Sequence, residues 1–263
     1  MSGLLLRDLS RHDRYKLLCA VVVPRPIALV TTLDVNGAVN AAPFSFFNVF
    51  SEEPPLIVLG LQHKPDRTPK DTTRNIQRDG EFVVQMVDEA LAKTMNDCAV
   101  DFPSGESEVS ALGLATLPSV DVKVPRLAAA PFALECKRSV SLAFGPGREL
   151  LVGEVLRVHA REGLLDTESM YVDFAAYRPI GRLFGNLYSY QREPFAMDRF
   201  APSPPGDLLA ILLIGPWPRA PRRRERQAMS HDSCAAARSR GRGRCCGEAD
   251  PGPEDALPAV HPS

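Results

Sequence analysis

Residues 27–45 carry two β-forming runs around Asp34-Val35-Asn36-Gly37, and this hairpin limits the fold more than any other stretch. Residues 27–33 are apolar and rich in branched side chains, which pack well on a pleated surface. Asn-Gly tolerates positive φ at both central positions, as a two-residue hairpin turn requires. Residues 38–45 then return. Further strands are expected at 56–61, introduced by Pro54-Pro55, at 82–87, at 132–140 and at 150–159. In the run 132–140, Phe132, Leu134, Cys136 and Val140 alternate with Glu135, Lys137 and Ser139, which reads as a half-exposed strand. Gly145-Pro146-Gly147 reads as the turn between the last two strands. Helices are few. Asp71 or Thr72 caps a short one that Gly80 ends. Residues 88–98 read helical, with Ala90, Leu91, Met95 and Cys98 spaced for one face. Many strands joined by tight turns predict a mainly β chain: an antiparallel barrel of Greek-key type with a few short helices. No Gly-x-Gly-x-x-Gly turn occurs, so a doubly wound dinucleotide-binding sheet is not expected.

The chemistry-bearing groups cluster around this hairpin and the helix after it. A helix start offers free backbone N–H groups and a partial positive charge. Lys70 stands beside one, followed by Asp71, Thr72 and Thr73, a natural place for a phosphate or, equally, a simple capping motif. Arg25 sits between Pro24 and Pro26, so it is displayed from extended backbone. That suits a grip on phosphate or a ring carbonyl, or a surface arginine at a strand entry. Thr31 and Thr32 point to opposite faces of one strand, so only one of them faces a ligand. Ser45, Phe46, Phe47 and Asn48 read as the loop after the second strand, with donors in Ser45 and Asn48. Phe44, Phe46, Phe47 and Phe50 suit a core or dimer contact, or one ring stacked on a flat ligand. His159 shares a strand face with Arg157 and by itself reads as structural. Neither a Ser-His-Asp nor a Cys-His arrangement appears, and no spacing suits zinc.

Taken in order, Pro24-Arg25-Pro26-Ile27, Thr31-Thr32, Asn36-Gly37, Asn40, residues 42–48, Pro54-Pro55-Leu56 and Lys70-Asp71-Thr72 with Arg74-Asn75-Ile76 resemble the flavin reductase-like family of FMN-binding split barrels. Gly80-Glu81-Phe82-Val83-Val84, Val152-Gly153-Glu154-Val155 with His159, and Gly181-Arg182-Leu183 with Gly185-Asn186 extend the likeness to roughly residues 15–200. The resemblance implies bound FMN, a homodimer with flavin near the subunit interface, and NAD(P)H-dependent flavin reduction. Reduced flavin would then serve free flavin, oxygen or a partner oxygenase. It implies Arg25, Thr31, Thr32, Ser45, Phe46, Phe47, Asn48, Lys70, Asp71 and Thr72 as cofactor contacts. It places His159 on the nicotinamide or substrate side as the catalytic residue. Two alternatives stand: an FMN-dependent electron carrier without a nicotinamide site, or a barrel that serves as a non-catalytic binding module.

Composition narrows the class further. The chain has 263 residues and a net charge of −1, which argues against a nucleic-acid or membrane partner for the whole protein. The three-leucine run Leu4-Leu5-Leu6 is too short for a secretory h-region. Six cysteines occur without a pairing pattern, as expected of thiols in a reducing cytoplasm. Near residue 200 the composition breaks. Residues 201–263 hold ten prolines, nine arginines and no lysine, phenylalanine or tyrosine, so a domain over 1–200 and a disordered tail over 201–263 are expected. The tail's Ala, Arg, Gly and Pro vocabulary is also what GC-rich DNA yields in an unintended frame, which favours a segment with no evolved role.

Overall fold

A computed structural model describes residues 3–100, 102–103 and 105–197. The expected tail, residues 201–263, lies outside the described residues.

The chain enters through helix α1 (Arg11–Val21), which starts at Ser10, whose hydroxyl accepts the Asp13 N–H. The sequence reading did not anticipate α1, and its burial explains why. Of its residues only Cys19 is buried, while Tyr15, Leu18 and Val21 face outward, so no apolar stripe marks it. The predicted hairpin follows as β1 (Ala28–Leu33) and β2 (Val39–Phe44), paired in the register Thr32 to Asn40 and Thr31 to Ala41. Its turn is not the two-residue type. Only Gly37 has positive φ, and the Asp34 N–H donates to the Ala38 carbonyl across three residues. The Asp34 carboxylate accepts the N–H groups of Asn36 and Ala38, so the aspartate sets the turn and asparagine is left in ordinary backbone.

Next come β3 (Phe47–Glu52), β4 (Pro55–Gln62), α2 (Asp71–Asp79) and β5 (Glu81–Met86). The Ser45–Asn48 stretch is therefore not one loop. Phe47 and Asn48 already belong to β3, because Phe47 turns into the core while Asn48 faces solvent in strand alternation. Lys70 occupies the N-cap of α2 and Asp71 opens the helix; Gly80, at φ 71°, ends it in the left-handed conformation, as its sequence position predicted.

Short helices α3 (Ala92–Asp97) and α4 (Glu108–Ala111) follow. The helix expected over 88–98 is shorter because Asp88 turns back on itself. It accepts the Leu91 N–H and pairs with Arg161 at 3.0 Å. A two-residue ladder joins β6 (Thr116–Leu117) to β7 (Arg126–Leu127). The long hairpin of β8 (Phe132–Ala143) and β9 (Arg148–Ala160) then turns at Gly145-Pro146-Gly147.

All seven main strands are antiparallel, in the order β2-β1-β5-β8-β9-β4-β3. The sheet curls around one interior cluster: Ala28 and Val30 of β1, Ile57, Leu59 and Leu61 of β4, Phe82 and Val84 of β5, Cys136 and Leu151, with Ile76 of α2 laid among them. Burying each large apolar side chain of this set stabilises the fold by roughly 1.5–3 kcal/mol. The two end strands, β2 and β3, are consecutive in sequence but share no ladder, so the barrel is split. Odd-numbered residues of β1 face outward. Leu29, with Ile27 just before the strand, packs with Val87, Leu91, Met95 and Val109, and Leu33 packs with Val83, Val122, Val124 and Ala133.

Candidate functional site

Strand alternation decides which threonine serves which face. Thr32 points to the side of α2, where its Oγ1 accepts the Asn75 side-chain amide at 3.0 Å. Thr31 points the other way, donating to the Pro125 carbonyl at 2.9 Å and accepting from Gln85 at 3.2 Å. A second clamp repeats the Thr32–Asn75 theme: Asn40 of β2 donates to Thr72 Oγ1 at 3.0 Å. All four clamp residues are buried, so each hydroxyl and amide fixes the start of α2 against β1 and β2 at the cost of its own hydration.

A groove of about 560 Å³ opens where this clamp meets the surface, a size typical of ligand clefts, which run roughly 300–1,000 Å³. One wall is the edge of β2, Asn40 with Ala42, Pro43 and Phe44. The second is Lys70, Asp71 and Thr72 with Lys64 from the preceding loop. The third includes Cys98, Val100, Phe102 and Glu108. A second hollow of about 360 Å³ adjoins it, lined by Arg74, Asn75, Arg78 and the turn at 34–38, and both hollows share Asn40 and Asp71. The α2 terminus brings partial positive charge to the groove, and its N-cap residue supplies no side-chain acceptor to its first-turn amides. Asp71 is engaged by Arg74.

Two groups on the third wall are tuned by burial. Desolvation raises the Glu108 pKa above the usual carboxylate value, and the Ala41 N–H that it accepts at 2.9 Å opposes this only partly. Desolvation first, then Glu108 and Asp97, push the Cys98 thiol up to about 12. Cys98 therefore stays protonated at neutral pH and is no nucleophile.

The structure brings Lys70, Asp71 and Thr72 together in one groove, and Thr32 braces the same helix through Asn75. It does not bring the other predicted residues there. Arg25 is buried, and its guanidinium donates to the carbonyls of Cys19 at 2.6 Å, Val22 at 2.9 Å and Leu183 at 2.8 Å. Its flanking prolines display it toward its own chain, not toward the groove. Thr31 lies on the opposite sheet face. Ser45, Phe46 and Asn48 do not line the groove, and Phe47 is core. Phe46 lies under the Arg148 guanidinium, 5.6 Å from the ring centroid, and Asn48 caps its neighbour Val49. His159 is on the outer face with Arg157. Its Nε2 sits 2.5 Å from the Glu135 carboxylate, which also accepts the N–H groups of Val120, Asp121 and Val122. Burial alone would raise the Glu135 pKa, but His159 and these three N–H groups outweigh it and hold it below the usual value.

Glu108 and Phe102 were not among the predicted site residues, and Asn40 and Asn75 were noticed only as part of the resemblance. Asn75 had a readable signal: it sits one turn past Asp71 on the helix face that meets β1. Glu108 had none, since its place depends on a long-range contact in which it accepts the Ala41 N–H of β2.

A flavin reductase like domain profile matches residues 21–181. The chain belongs to the flavin reductase like family. Among solved relatives of this family, the 2-nitrobenzoate 2-nitroreductase NbaA of Pseudomonas fluorescens is 39% identical, with a TM-score of 0.70 over 77% of this chain and 99% of that one. Nitrilotriacetate monooxygenase component B of Bacillus cereus is 34% identical, with a TM-score of 0.72 over 75% of this chain and 98% of the other. A split-barrel protein of Shewanella frigidimarina, 19% identical with a TM-score of 0.64, shares the fold.

Proposed function

We propose that this chain binds FMN in the groove at the start of α2 and is an NAD(P)H-dependent flavin oxidoreductase of the cytoplasm. The observation that carries the reading is the convergence of Lys70, the amides of α2 and the Asn40–Thr72 clamp on one cleft of ligand size. One helix start serves one phosphate group. With no glycine-rich loop for an adenylate, the chemistry favours FMN over FAD.

A bound flavin supplies the redox chemistry, accepting hydride from a reduced nicotinamide and passing electrons on. The chain's own residues bind and orient. The amides of Thr72 and Thr73 and the Lys70 ammonium hold the phosphate. The Thr32–Asn75 and Asn40–Thr72 bonds keep those donors from moving. Phe44, Val100 and Phe102 exclude water from the groove. The edge of β2 lays extended backbone along the cleft.

The exposed apolar residues Val49 and Phe50 of the end strand β3, with Val140 and Leu142 of β8 and Phe144 just after it, support a homodimer. The names of the two closer solved relatives, a nitroreductase and a monooxygenase component, favour delivery of electrons to an acceptor or a partner oxygenase. Among the described residues no helix is long and apolar enough to cross a membrane.

Absorption of the purified protein followed by anaerobic titration with NADH and NADPH tests the reading. A flavin spectrum bleached by either nucleotide is the expected result. A flavin spectrum that neither nucleotide bleaches leaves an electron carrier, and no flavin at all leaves a binding module.

A further inference from the structure

Glu108 is an acid on the wall of a groove whose opposite wall is suited to an anion. It opens α4, which is fixed to β2 by two bonds. Ser107 donates to the Val39 carbonyl at 2.6 Å, and Glu108 Oε2 accepts the Ala41 N–H at 2.9 Å. β2 ends the sheet, so both bonds fall on its outer edge. Behind them Val109 packs into the cluster around Leu29. The Glu108 carboxyl is therefore held in place, half-buried and facing the groove. Among the described residues only backbone N–H groups donate to it.

The strand sets its position relative to the phosphate donors. Asn40, one residue before Ala41, donates to Thr72 Oγ1 at 3.0 Å, and Thr72 lies in the first turn of α2. Successive strand residues are about 3.3 Å apart. Lys70, Thr72, Asn40 and Glu108 all line the same groove. An anion at the start of α2 thus has the Glu108 carboxyl as a near neighbour. Two like charges sharing a partly desolvated site repel each other, and a proton on one of them relieves the repulsion.

The charged groups around Glu108 leave it as the place for that proton. Lys64 and Lys70 attract either anion. Asp66 accepts the Thr68 hydroxyl, which with the Thr68 N–H holds its pKa below the ordinary value. Asp71 is engaged by Arg74, and Asp97 pairs with Lys93 at 2.7 Å. Cys98 keeps its own proton, and Glu106 lines the adjoining hollow instead. β2 brings no titratable side chain to the groove. Burial has already lifted the Glu108 pKa above the ordinary 4.5, which eases the addition of a proton there.

We propose that Glu108 contacts the phosphate of the bound ligand as a neutral acid, so that entry of a phosphorylated ligand draws a proton from solvent onto its carboxyl. Oε2 keeps the Ala41 N–H as a carbonyl oxygen. The proton sits on Oε1, which changes from an acceptor into a donor toward a phosphate oxygen. One proton leaves the solvent for each ligand bound, and no bond in the ligand is made or broken. That the ligand is a flavin rests on the reading above; proton uptake beside a phosphate does not.

Calorimetry of FMN binding to the full chain, in buffers of different ionisation enthalpy, counts the protons exchanged. Wild type should take up more than Glu108→Gln, by up to about one proton per FMN. Riboflavin, which lacks the phosphate, should show no such difference. Glu108→Gln keeps an oxygen for the Ala41 N–H and offers an N–H₂ donor to the groove, and circular dichroism checks its fold. From about pH 6 to pH 8, wild-type affinity for FMN should fall relative to Glu108→Gln by up to about tenfold per pH unit. The second ionisation of the phosphate, near pH 6, is common to both proteins and cancels. Infrared difference spectra of the wild type need no variant: a protonated-carboxyl band should grow with FMN and not with riboflavin. Equal proton uptake in the two proteins, a pH dependence shared by riboflavin, or no such band overturns the proposal. If neither flavin binds, thermal stabilisation by inorganic phosphate decides. A gain that fades with rising pH in wild type but not in Glu108→Gln upholds the role of Glu108 and sinks the flavin reading alone; no gain overturns both.

Discussion

Asn75 of α2 donates its side-chain amide to Thr32 of β1 at 3.0 Å, so the helix whose start faces the groove is bolted to the strand beneath it. The adjacent Thr31 makes its bonds on the opposite face, to Pro125 and Gln85. The two threonines are equally buried, and their replacements should differ in what they disturb. Thr32→Val and Thr31→Val each strand a buried amide, costing about 1–3 kcal/mol in urea unfolding. Only Thr32→Val should also weaken FMN, because only it releases α2. Equal loss of flavin affinity in both variants would contradict this division of faces.

Lys70→Ala should weaken FMN by roughly 1–3 kcal/mol, the range for a charge-assisted contact. Riboflavin, which lacks the phosphate, should barely respond. Fluorescence titration of both ligands separates a phosphate contact from a general effect on the fold.

Glu135 carries the clearest acid-linked prediction. Its folded pKa lies below the ordinary 4.5. The stability it contributes is therefore fully present above that value, and it is lost as pH falls through the lower folded pKa. Unfolding free energy measured from about pH 6 to pH 3 should drop steeply in the wild type. Glu135→Gln should be less stable at pH 6 and flatter across the window. His159→Gln should lose stability too, yet leave flavin reduction by NAD(P)H unchanged, since its ring faces Glu135 and not the groove. A large fall in the reduction rate with intact stability would restore the catalytic role that the family resemblance implied for His159.

Gly153 of β9 leaves no room for a side chain. A Cβ there would lie 2.5 Å from Phe82 Cζ and 3.6 Å from Ile57 Cγ1, both in the barrel interior. Gly153→Ala should cost about 1–3 kcal/mol through overpacking. Adding Phe82→Leu should recover part of that loss, and a melting comparison of the single and double variants checks it.

Truncation after residue 200 should leave flavin binding and melting temperature unchanged. The matches to solved relatives take in 98–99% of those chains while covering only 75–77% of this one. A fall of several degrees, as expected for a loss of about 1 kcal/mol, or loss of a dimer on sizing, would show that the apolar run at 208–214 docks on the folded body.

How much of this was legible in the sequence follows from the range of the interactions. The β1–β2 hairpin, the Gly80 terminator and the β8–β9 turn are set by residues within a few positions of one another, and all were readable. So was the grouping of Lys70, Asp71 and Thr72. Helix α1 was not, because it lacks an apolar stripe and is held by Arg25 reaching back to the Cys19 and Val22 carbonyls. The burial of Arg25 was equally hidden, since one of its acceptors, Leu183, lies 158 residues away. Strand parity placed His159 with Arg157 correctly, but not the 118–125 segment that covers that face and gives Glu135 its three amides.

The two hollows beside α2 share Asn40 and Asp71. Neither residue can therefore change for the benefit of one hollow alone. A substitution at Asn40 that reshaped the larger cleft for a different cofactor would also move the floor of the smaller one and loosen Thr72. Redesign of ligand preference in this protein has to begin elsewhere, on the third wall of the larger cleft. There Phe102 and Glu108 belong to the larger cleft only, and a replacement can act on one space without answering to the other.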